Sequence, residues 1–193
     1  MIEANAIYHE HQSLELCCLH ALNNLFQGVA FSRETLDAIC KELSPESNFL
    51  NNPHRSFLGL GNYDINVLVS ALQTKDCTAI WWDKRKDPNI LNLDNVIGFI
   101  LNVPSEPKIG PVKIPFIRRR HWISVKEVGG AYYNLDSKLD QPEILGSSED
   151  VLKYVADALS DAEKQVFVVV SKDVDRTQSY LLQPFRGDQH KNS

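Results

Sequence analysis

The stretch Gln12-Ser13-Leu14-Glu15-Leu16-Cys17-Cys18-Leu19-His20-Ala21-Leu22-Asn23-Asn24-Leu25-Phe26 determines how the rest of the chain is interpreted. From Glu15 onward, apolar residues recur at helical spacing, which predicts a helix with one buried stripe. Ser13 is placed to cap this helix, so that Cys17 lies within its first turn and a half. Unpaired backbone N–H groups and the positive dipole end favour a thiolate there. Cys17 is therefore a candidate nucleophile.

Composition limits the classes of partner and compartment. The chain has 193 residues and a formal charge of −5, which disfavours nucleic acid as a partner. The sequence shows no secretory signal and no apolar run near the roughly 20 residues that span a bilayer, so we expect no transmembrane segment. The adjacent Cys17 and Cys18 are a poor start to a disulfide framework, which favours a reducing compartment, the cytoplasm or nucleus. Cys40 and Cys77 are expected to be small buried hydrophobic residues.

The order of predicted elements indicates an α+β fold, with N-terminal helices packed on a mostly antiparallel sheet. A polar arm over residues 1–14 precedes the first helix. Three further helices are expected: one at 33–43 capped by Ser32, one from the cap Asp64 to residue 75, and one at 149–159. Ser147 or Ser148 is expected to open the last of these helices. Its buried face is expected to consist of Leu152, Val155, Ala156 and Leu159. Strands are expected at 78–82, 96–101, 121–128, 131–135 and 165–170. Residues 44–62 and 104–115 are expected to be irregular loops, and residues from 171 onward a polar tail.

The two strands joined by Gly129-Gly130 give a geometric argument about His121. A two-residue turn there pairs Val128 with Ala131 and extends the register so that Ile123 lies opposite residue 136. His121 then shares a face with Asp136 and lies diagonal to it, with Cα atoms about 7–8 Å apart. A register shifted by one residue would place them on opposite faces.

These residues together can carry nucleophilic catalysis by a thiol. An aspartate on one imidazole nitrogen fixes the tautomer of His121 and leaves the other nitrogen free to accept the Cys17 proton. Gln12 could turn its amide N–H toward the same point and, with the Cys17 backbone N–H, form an oxyanion hole. The predicted reaction class is acyl transfer to water.

The spacing leaves several alternatives open. Cys18 is a rival nucleophile, and because it lies about 100° further round the helix, the two thiols cannot both face His121. His20 could be a metal ligand, a partner of a catalytic group or a solvated residue. A zinc site is conceivable, but paired Cys-x-x-Cys ligands are absent, and no metal is predicted. His121 could also be satisfied by a backbone carbonyl.

Longer motifs resemble the Josephin domain, a papain-like cysteine protease fold found in deubiquitinating enzymes. In chain order they are Tyr8–Gln12, Leu16–Leu25, His121-Trp122 and Tyr133–Ser137. The phrases Gly61–Asp64, Trp81–Arg85 and Glu127–Lys138 look most like the short Josephin proteins, which are little more than the domain. The resemblance implies one catalytic domain over residues 7–170, a tail over 171–193 and no second domain.

The resemblance also implies roles for individual residues in a thiol-dependent deubiquitinase that hydrolyses the bond after the C-terminal glycine of ubiquitin. It assigns Cys17 as nucleophile, His121 as general base and acid, Asp136 as orienting group, Gln12 as oxyanion donor, and Ile65 and Trp122 as substrate contacts. The expected partners are ubiquitin and ubiquitinated proteins, with no cofactor. Residues 44–62 would correspond to the helical hairpin that projects over the ubiquitin groove in the family.

Two departures and two alternatives accompany this resemblance. The third catalytic position is Asp136, whereas the best-known long member has Asn there, and the helical ubiquitin-interacting motifs of that long member are missing. The alternative function is a catalytically weak or autoinhibited regulator that binds ubiquitin. A further alternative is a hydrolase or transferase for small acyl groups on the same fold.

Overall fold

A computed structural model describes residues 7–12, 16–46, 63–105, 108–109, 112–113 and 119–182. The helices in this part of the chain are α1 (Cys17–Phe26), α2 (Arg33–Leu43), α3 (Ile65–Gln73), α4 (Ser148–Ser160) and α5 (Lys172–Thr177). The strands are β1 (Cys77–Trp81), β2 (Gly98–Ser105), β3 (Lys108–Ile109), β4 (Val112–Lys113), β5 (Arg119–Val128), β6 (Ala131–Asn134), β7 (Glu143–Gly146) and β8 (Gln165–Ser171). Short 3-10 turns lie at Pro88–Ile90 and Leu93–Asn95.

Six of these strands form one sheet in the order β1-β8-β2-β5-β6-β7, and every pair is antiparallel. The side chains of α1, α2 and α3 share a buried cluster with one face of the sheet, and those of α4 share a second cluster with the other face. In β8, Phe167 and Val169 belong to the first cluster, whereas Val166 and Val168 belong to the second. Residues 166–170 of this strand are apolar and buried, as expected of a strand that is covered on both faces. The predicted α+β class is confirmed.

Helix α1, which carries Cys17, packs very closely on the sheet at Gly98. A Cβ atom built on Gly98 would lie 2.6 Å from Leu25 Cδ1 and 2.6 Å from the carbonyl oxygen of Val125. The Val125 oxygen belongs to the backbone of β5 and cannot turn aside, so only glycine allows β2 to lie this close to β5, with the Leu25 side chain of α1 packed on the same position. Gly98 therefore lets β2 lie close to β5, the strand that carries His121, at the point where the Leu25 side chain of α1 packs on the sheet.

The helix predictions are confirmed with local corrections. The side chains of Ser32 and Asp64 cap α2 and α3, and Ser147 caps α4 through a capping box with Asp150. Helix α1 begins at Cys17 rather than Glu15, and the predicted cap Ser13 lies outside the described residues.

The buried face of α4 differs from the predicted face. Val151, Val155, Ala158 and Leu159 are buried, whereas Leu152 is half-buried and Ala156 is exposed. Both sets recur at helical spacing, so the period alone could not decide which stripe meets the sheet.

The strands also differ from prediction at their ends. Strand β1 begins at Cys77 and ends before Trp82, and β2 starts two residues later than predicted and runs on to Ser105. Part of the loop expected at 104–115 pairs as β3 and β4.

The first part of the predicted polar tail is folded onto the body of the domain. Ser171 ends β8 and caps α5, and Tyr180 is buried in the cluster beneath α4. Leu181 then forms a β-bridge with Leu91. Residues 183–193 of the predicted tail lie outside the described residues.

Candidate active site

The β5–β6 hairpin brings His121 and Asp136 together. The register pairs Val128 with Ala131 and Val125 with Asn134, as the two-glycine turn predicts. Strand β6 ends at Asn134, and Asp136 lies just beyond it in a segment that we call the Asp136 loop (residues 135–138). His121 Nε2 lies 2.5 Å from Asp136 Oδ1. The diagonal pairing inferred from the sequence therefore produces a direct hydrogen bond.

The charge state of Asp136 determines which residue donates in this hydrogen bond. Burial raises the pKa of Asp136, but the hydrogen bonds from His121 and from the Lys138 backbone N–H, together with the electrostatic effect of these two residues, outweigh burial and lower the pKa overall. The backbone N–H of Lys138 donates to the same Oδ1 at 2.9 Å. Because an ionised carboxylate can only accept, the proton of the pair lies on His121 Nε2. The imidazole then presents Nδ1 as its proton-accepting nitrogen.

Cys17 is the first residue of α1, and its side chain is 3% exposed. Strand β5 extends past the end of β6, and along this stretch the backbone N–H of Trp122 donates to the Cys17 sulfur. Trp122 directly follows His121. The thiol is therefore placed against the part of β5 that carries the histidine.

Burial raises the pKa of the Cys17 thiol above the ordinary cysteine value. The backbone N–H groups of Trp122, Cys17 and Cys18 and the charge of Lys138 act in the opposite direction but do not outweigh it. The sequence correctly predicts the helix N-terminus as the location of Cys17. The thiolate expected from that location is not the favoured form of the free protein, because the thiol is desolvated.

Gln12 lies at the end of an N-terminal arm (residues 7–12) that crosses the site. Its backbone N–H donates to the carbonyl oxygen of Ser137 at 2.6 Å, which holds Gln12 beside the Asp136 loop. Its amide oxygen is buried and has no hydrogen-bond partner among the described residues. Gln12 therefore borders the same site as the predicted triad, and its role as oxyanion donor stays a prediction.

Comparison with known proteins agrees with this arrangement. A family model described as Josephin matches residues 12–170, which is most of the chain. The chain belongs to the Josephin family. It is 49% identical to human Josephin-2 over 175 residues, covering 91% of this chain and 92% of that protein. It is 46% identical to a Josephin-like protein of Drosophila melanogaster over 188 residues, covering 94% and 83% of the two chains.

More distant similarities extend beyond these Josephin proteins. Human Ataxin-3 is 28% identical over 201 residues, which cover 95% of this chain and 51% of Ataxin-3. A solved structure of Trichinella spiralis UCH37 bound to ubiquitin vinyl methyl ester matches 54% of this chain at 11% identity, with a TM-score of 0.38.

The structure distinguishes the two adjacent thiols of this Josephin domain. Cys18 is fully buried, and burial raises the pKa of its thiol well above the ordinary value. The Cys17 sulfur, by contrast, receives the N–H of the residue that follows His121. Of the two candidates, Cys17 therefore has the geometry of a nucleophile. Cys40 and Cys77 are buried as predicted, and all four cysteines are free thiols.

The two predicted substrate contacts differ in how accessible they are. Ile65 is the half-buried first residue of α3, directly after the capping Asp64. The Trp122 indole is 3% exposed, donates to the carbonyl of Tyr63 at 3.0 Å and packs on Phe167. The Trp122 side chain is thus part of the core, and this placement does not support a substrate contact by its ring. The backbone of Trp122 is the part that reaches the site.

The arm accounts for His20, which the sequence left ambiguous. His20 Nδ1 lies 2.6 Å from Glu10 Oε2, so its partner is a carboxylate.

In the described part of the chain, no group of three or more His, Cys, Asp or Glu side chains is arranged to hold a metal ion. Over the same residues, no helix has both the length and the apolar character that crossing a membrane requires. The predicted excursion over 44–62 lies outside the described residues from 47 onward.

Sequence reasoning missed two residues beside the site. His9 Nε2 donates to the carbonyl oxygen of Asp136 at 3.0 Å, and Asn24 Nδ2 donates to that of Leu135 at 2.9 Å. A signal was available for Asn24, which is a polar residue seven positions after Cys17 and therefore on the same face of α1. His9 had no comparable signal, because an irregular arm has no period from which a contact can be predicted.

Proposed function

We propose that this protein is a cysteine-type deubiquitinase that hydrolyses the bond after the C-terminal glycine of ubiquitin. Membership of the Josephin family supports the general class, a thiol-dependent deubiquitinase. The observation that carries the proposal is the 2.5 Å contact between His121 and Asp136 on the strand whose backbone reaches the Cys17 thiol. The compartment that suits four free thiols is reducing, the cytoplasm or the nucleus.

The proposed mechanism follows from the tautomer of His121. Nδ1 accepts the Cys17 proton as the sulfur attacks the carbonyl of the ubiquitin terminus, and Asp136 stabilises the imidazolium that forms. The developing oxyanion is bound by the Cys17 backbone N–H and the Gln12 amide. His121 then returns the proton to the leaving amine, and water hydrolyses the thioester with the same histidine as base.

Proton transfer at the moment of attack suits the electrostatics of the free protein. Because burial raises the pKa of the Cys17 thiol, the neutral form predominates near pH 7, and His121 must remove the proton as the reaction proceeds. The ubiquitin tail would approach over α3, where Ile65 is the proposed apolar contact. Ubiquitinated proteins are the proposed substrates.

A second candidate function rests on the same burial. A desolvated, protonated nucleophile is also what an autoinhibited ubiquitin-binding regulator would have. Such a protein would bind ubiquitin and turn it over weakly until the site opened. The two candidates differ in whether Cys17 reacts when ubiquitin is bound.

Intact mass spectrometry separates the candidates. The protein is incubated with ubiquitin that carries a thiol-reactive electrophile at its C-terminus, alongside Cys17→Ala and the matched control Cys18→Ala. We expect a one-ubiquitin adduct on the unmutated protein and on Cys18→Ala, and none on Cys17→Ala. Binding without an adduct would favour the autoinhibited regulator. Neither binding nor adduct would contradict both candidates and leave the small-acyl alternative, which predicts turnover of simple thioesters.

A further inference from the structure

The face of α1 that carries Cys17 also carries a stripe of buried polar side chains that the proposed chemistry does not use. His20 and Asn24 follow Cys17 by three and seven residues, which places them along the same side of the helix. Asn24 is fully buried, and His20 is nearly so. Buried polar groups at these positions are costly unless each of them is hydrogen-bonded. Their partners therefore indicate what the stripe does.

The N-terminal arm provides these partners. The backbone N–H of Glu10 donates to Asn24 Oδ1 at 2.6 Å. The Glu10 carboxylate lies 2.6 Å from His20 Nδ1 and accepts from Asn23 Nδ2 at 3.0 Å. Further along the helix, Gln27 accepts from the Tyr8 N–H and donates to its carbonyl, both at 3.1 Å. The arm is thus fixed along α1 by both its backbone and its side chains.

The same arm and the same stripe hold the Asp136 loop. Three consecutive carbonyl oxygens of this loop each accept a hydrogen bond. Leu135 accepts from Asn24 Nδ2 at 2.9 Å, Asp136 from His9 Nε2 at 3.0 Å and Ser137 from the Gln12 backbone N–H at 2.6 Å. Strand β6 ends at Asn134, and the Leu135 N–H still donates to the Ser124 carbonyl of β5 at 2.9 Å, so these three bonds hold the chain just beyond the β5–β6 ladder.

We infer that His9 and Asn24 are positioning residues for the His121–Asp136 pair. Catalytic geometry has to be held to a fraction of an ångström, and a displacement of about 1 Å can reduce turnover by about 100-fold. The Asp136 carboxylate can meet His121 at 2.5 Å only if its own backbone is fixed. The Asp136 carbonyl oxygen accepts from the nearby Leu139 N–H at 3.0 Å and also from His9, which ties it to the arm, and Asn24 fixes the preceding peptide to the helix that carries Cys17.

This arrangement links the nucleophile to the partner of the base through one short segment. Glu10 orients Asn24, His9 holds Asp136 and Gln12 borders the site, and all three belong to the arm. The inference rests on the proposed function for its kinetic consequences. Its structural content, that His9 maintains the bond between His121 and Asp136, is independent of the substrate.

The test compares two substitutions of His9 with a matched control. His9→Ala removes the donor, whereas His9→Gln keeps an N–H group at a similar reach. His11→Ala removes an imidazole from the same arm, an exposed ring that contacts His9 only edge-on at 5.0 Å. The kinetic measurement is steady-state hydrolysis of ubiquitin with a fluorogenic group at its C-terminus. The structural measurement is the proton NMR signal of His121 Nε2–H, assigned by its loss in Asp136→Ala.

We expect His9→Ala to lower kcat by about 10- to 100-fold with little change in KM, because the reacting groups rather than the ubiquitin contacts are displaced. The NMR signal of the His121 Nε2–H proton should shift or disappear in this variant. His9→Gln should restore most of kcat and the proton signal, and His11→Ala should leave both unchanged. This pattern is not expected of a residue that only stabilises the fold.

Several outcomes would overturn the inference. They are an unchanged kcat in His9→Ala, a loss of kcat with the His121 proton signal intact, and a loss that His9→Gln does not restore. If His9→Ala fails to fold, His9→Asn takes its place, because its shorter amide cannot reach the Asp136 carbonyl. If the unmutated protein does not hydrolyse ubiquitin, the proposed function fails, and the NMR comparison alone decides the role of His9.

Discussion

Two opposing effects act on the pKa of the Cys17 thiol, and they arise from residues at different distances along the chain. The start of α1 and the charge of Lys138 stabilise a thiolate, whereas burial against β5 destabilises it, and burial has the larger effect. The part of the first effect that comes from the start of α1 is local, so the sequence could predict it from the helix pattern. The second depends on the packing of α1 against β5, which is distant in sequence, and no local pattern predicts it.

The raised pKa predicts the pH dependence of Cys17 alkylation by iodoacetamide in the free protein. A raised pKa means that the thiolate fraction is small near pH 7 and keeps increasing as the pH rises. The alkylation rate should therefore increase about tenfold per pH unit and level off only above the ordinary cysteine pKa of about 8.5. Peptide mass spectrometry after timed quenching measures the rate at Cys17 separately from the other cysteines.

Glutathione under the same conditions is the reference for an exposed thiol. Its profile should level off at a lower pH than that of Cys17. A Cys17 profile that levels off below pH 8 would contradict the prediction, because it would mean that the helix N-terminus and Lys138 outweigh burial.

The β5–β6 hairpin was the most predictable element of the site. Gly129 and Gly130 adopt φ values of 62° and 89°, the left-handed region that a two-residue hairpin turn requires. The turn fixes the register, and the register places His121 near Asp136. The Asp136 loop itself was not predictable, because its three carbonyl contacts come from an arm with no regular period.

The close packing of α1 on the sheet predicts the effect of a single methyl group. Gly98→Ala would place a Cβ atom 2.6 Å from both Leu25 Cδ1 and the Val125 carbonyl oxygen. The backbone oxygen cannot move aside without distorting β5. We expect a loss of about 1–3 kcal/mol in the free energy of unfolding, measured by urea denaturation.

Gly28→Ala provides the matched control, because no atom lies within 4 Å of a Cβ atom built there. Its free energy of unfolding should stay close to that of the unmutated protein. Equal effects of the two substitutions would show that α1 does not constrain β2 as described. A shift of α1 in Gly98→Ala should also lower the rate of the proposed ubiquitin hydrolysis, since the helix carries Cys17.

At the scale of the whole molecule, the sequence indicated the architecture but not where the folded body ends. Helices followed by strands predicted the α+β class, and the apolar run over 165–170 predicted the strand β8. The segment after Ser171 is polar, and the side chains that it adds to the cluster, buried Tyr180 with half-buried Val174 and Leu181, are too few to show a period. Their burial depends on the turn near Leu91, which lies far away in sequence.

This segment predicts a contribution of residues beyond 170 to stability. Tyr180 is 7% exposed and packs in the cluster beneath α4, while its backbone carbonyl accepts from the Asn92 N–H at 2.8 Å. Tyr180→Ala would leave a cavity in this cluster, with a loss of about 3 kcal/mol in the free energy of unfolding. Urea denaturation followed by tryptophan fluorescence measures this loss, because Trp82 belongs to the same cluster.

Leu182→Ala is the control for the Tyr180 substitution, because Leu182 is 55% exposed and its truncation removes little buried area. If the segment belongs to the same cooperative unit as the sheet, Tyr180→Ala should lower the urea midpoint and leave a single transition with an unchanged slope. An unchanged midpoint would mean that the domain is complete without Tyr180. A second transition at low urea would mean that the segment unfolds separately, and hydrolysis by Cys17 should then persist after that first transition.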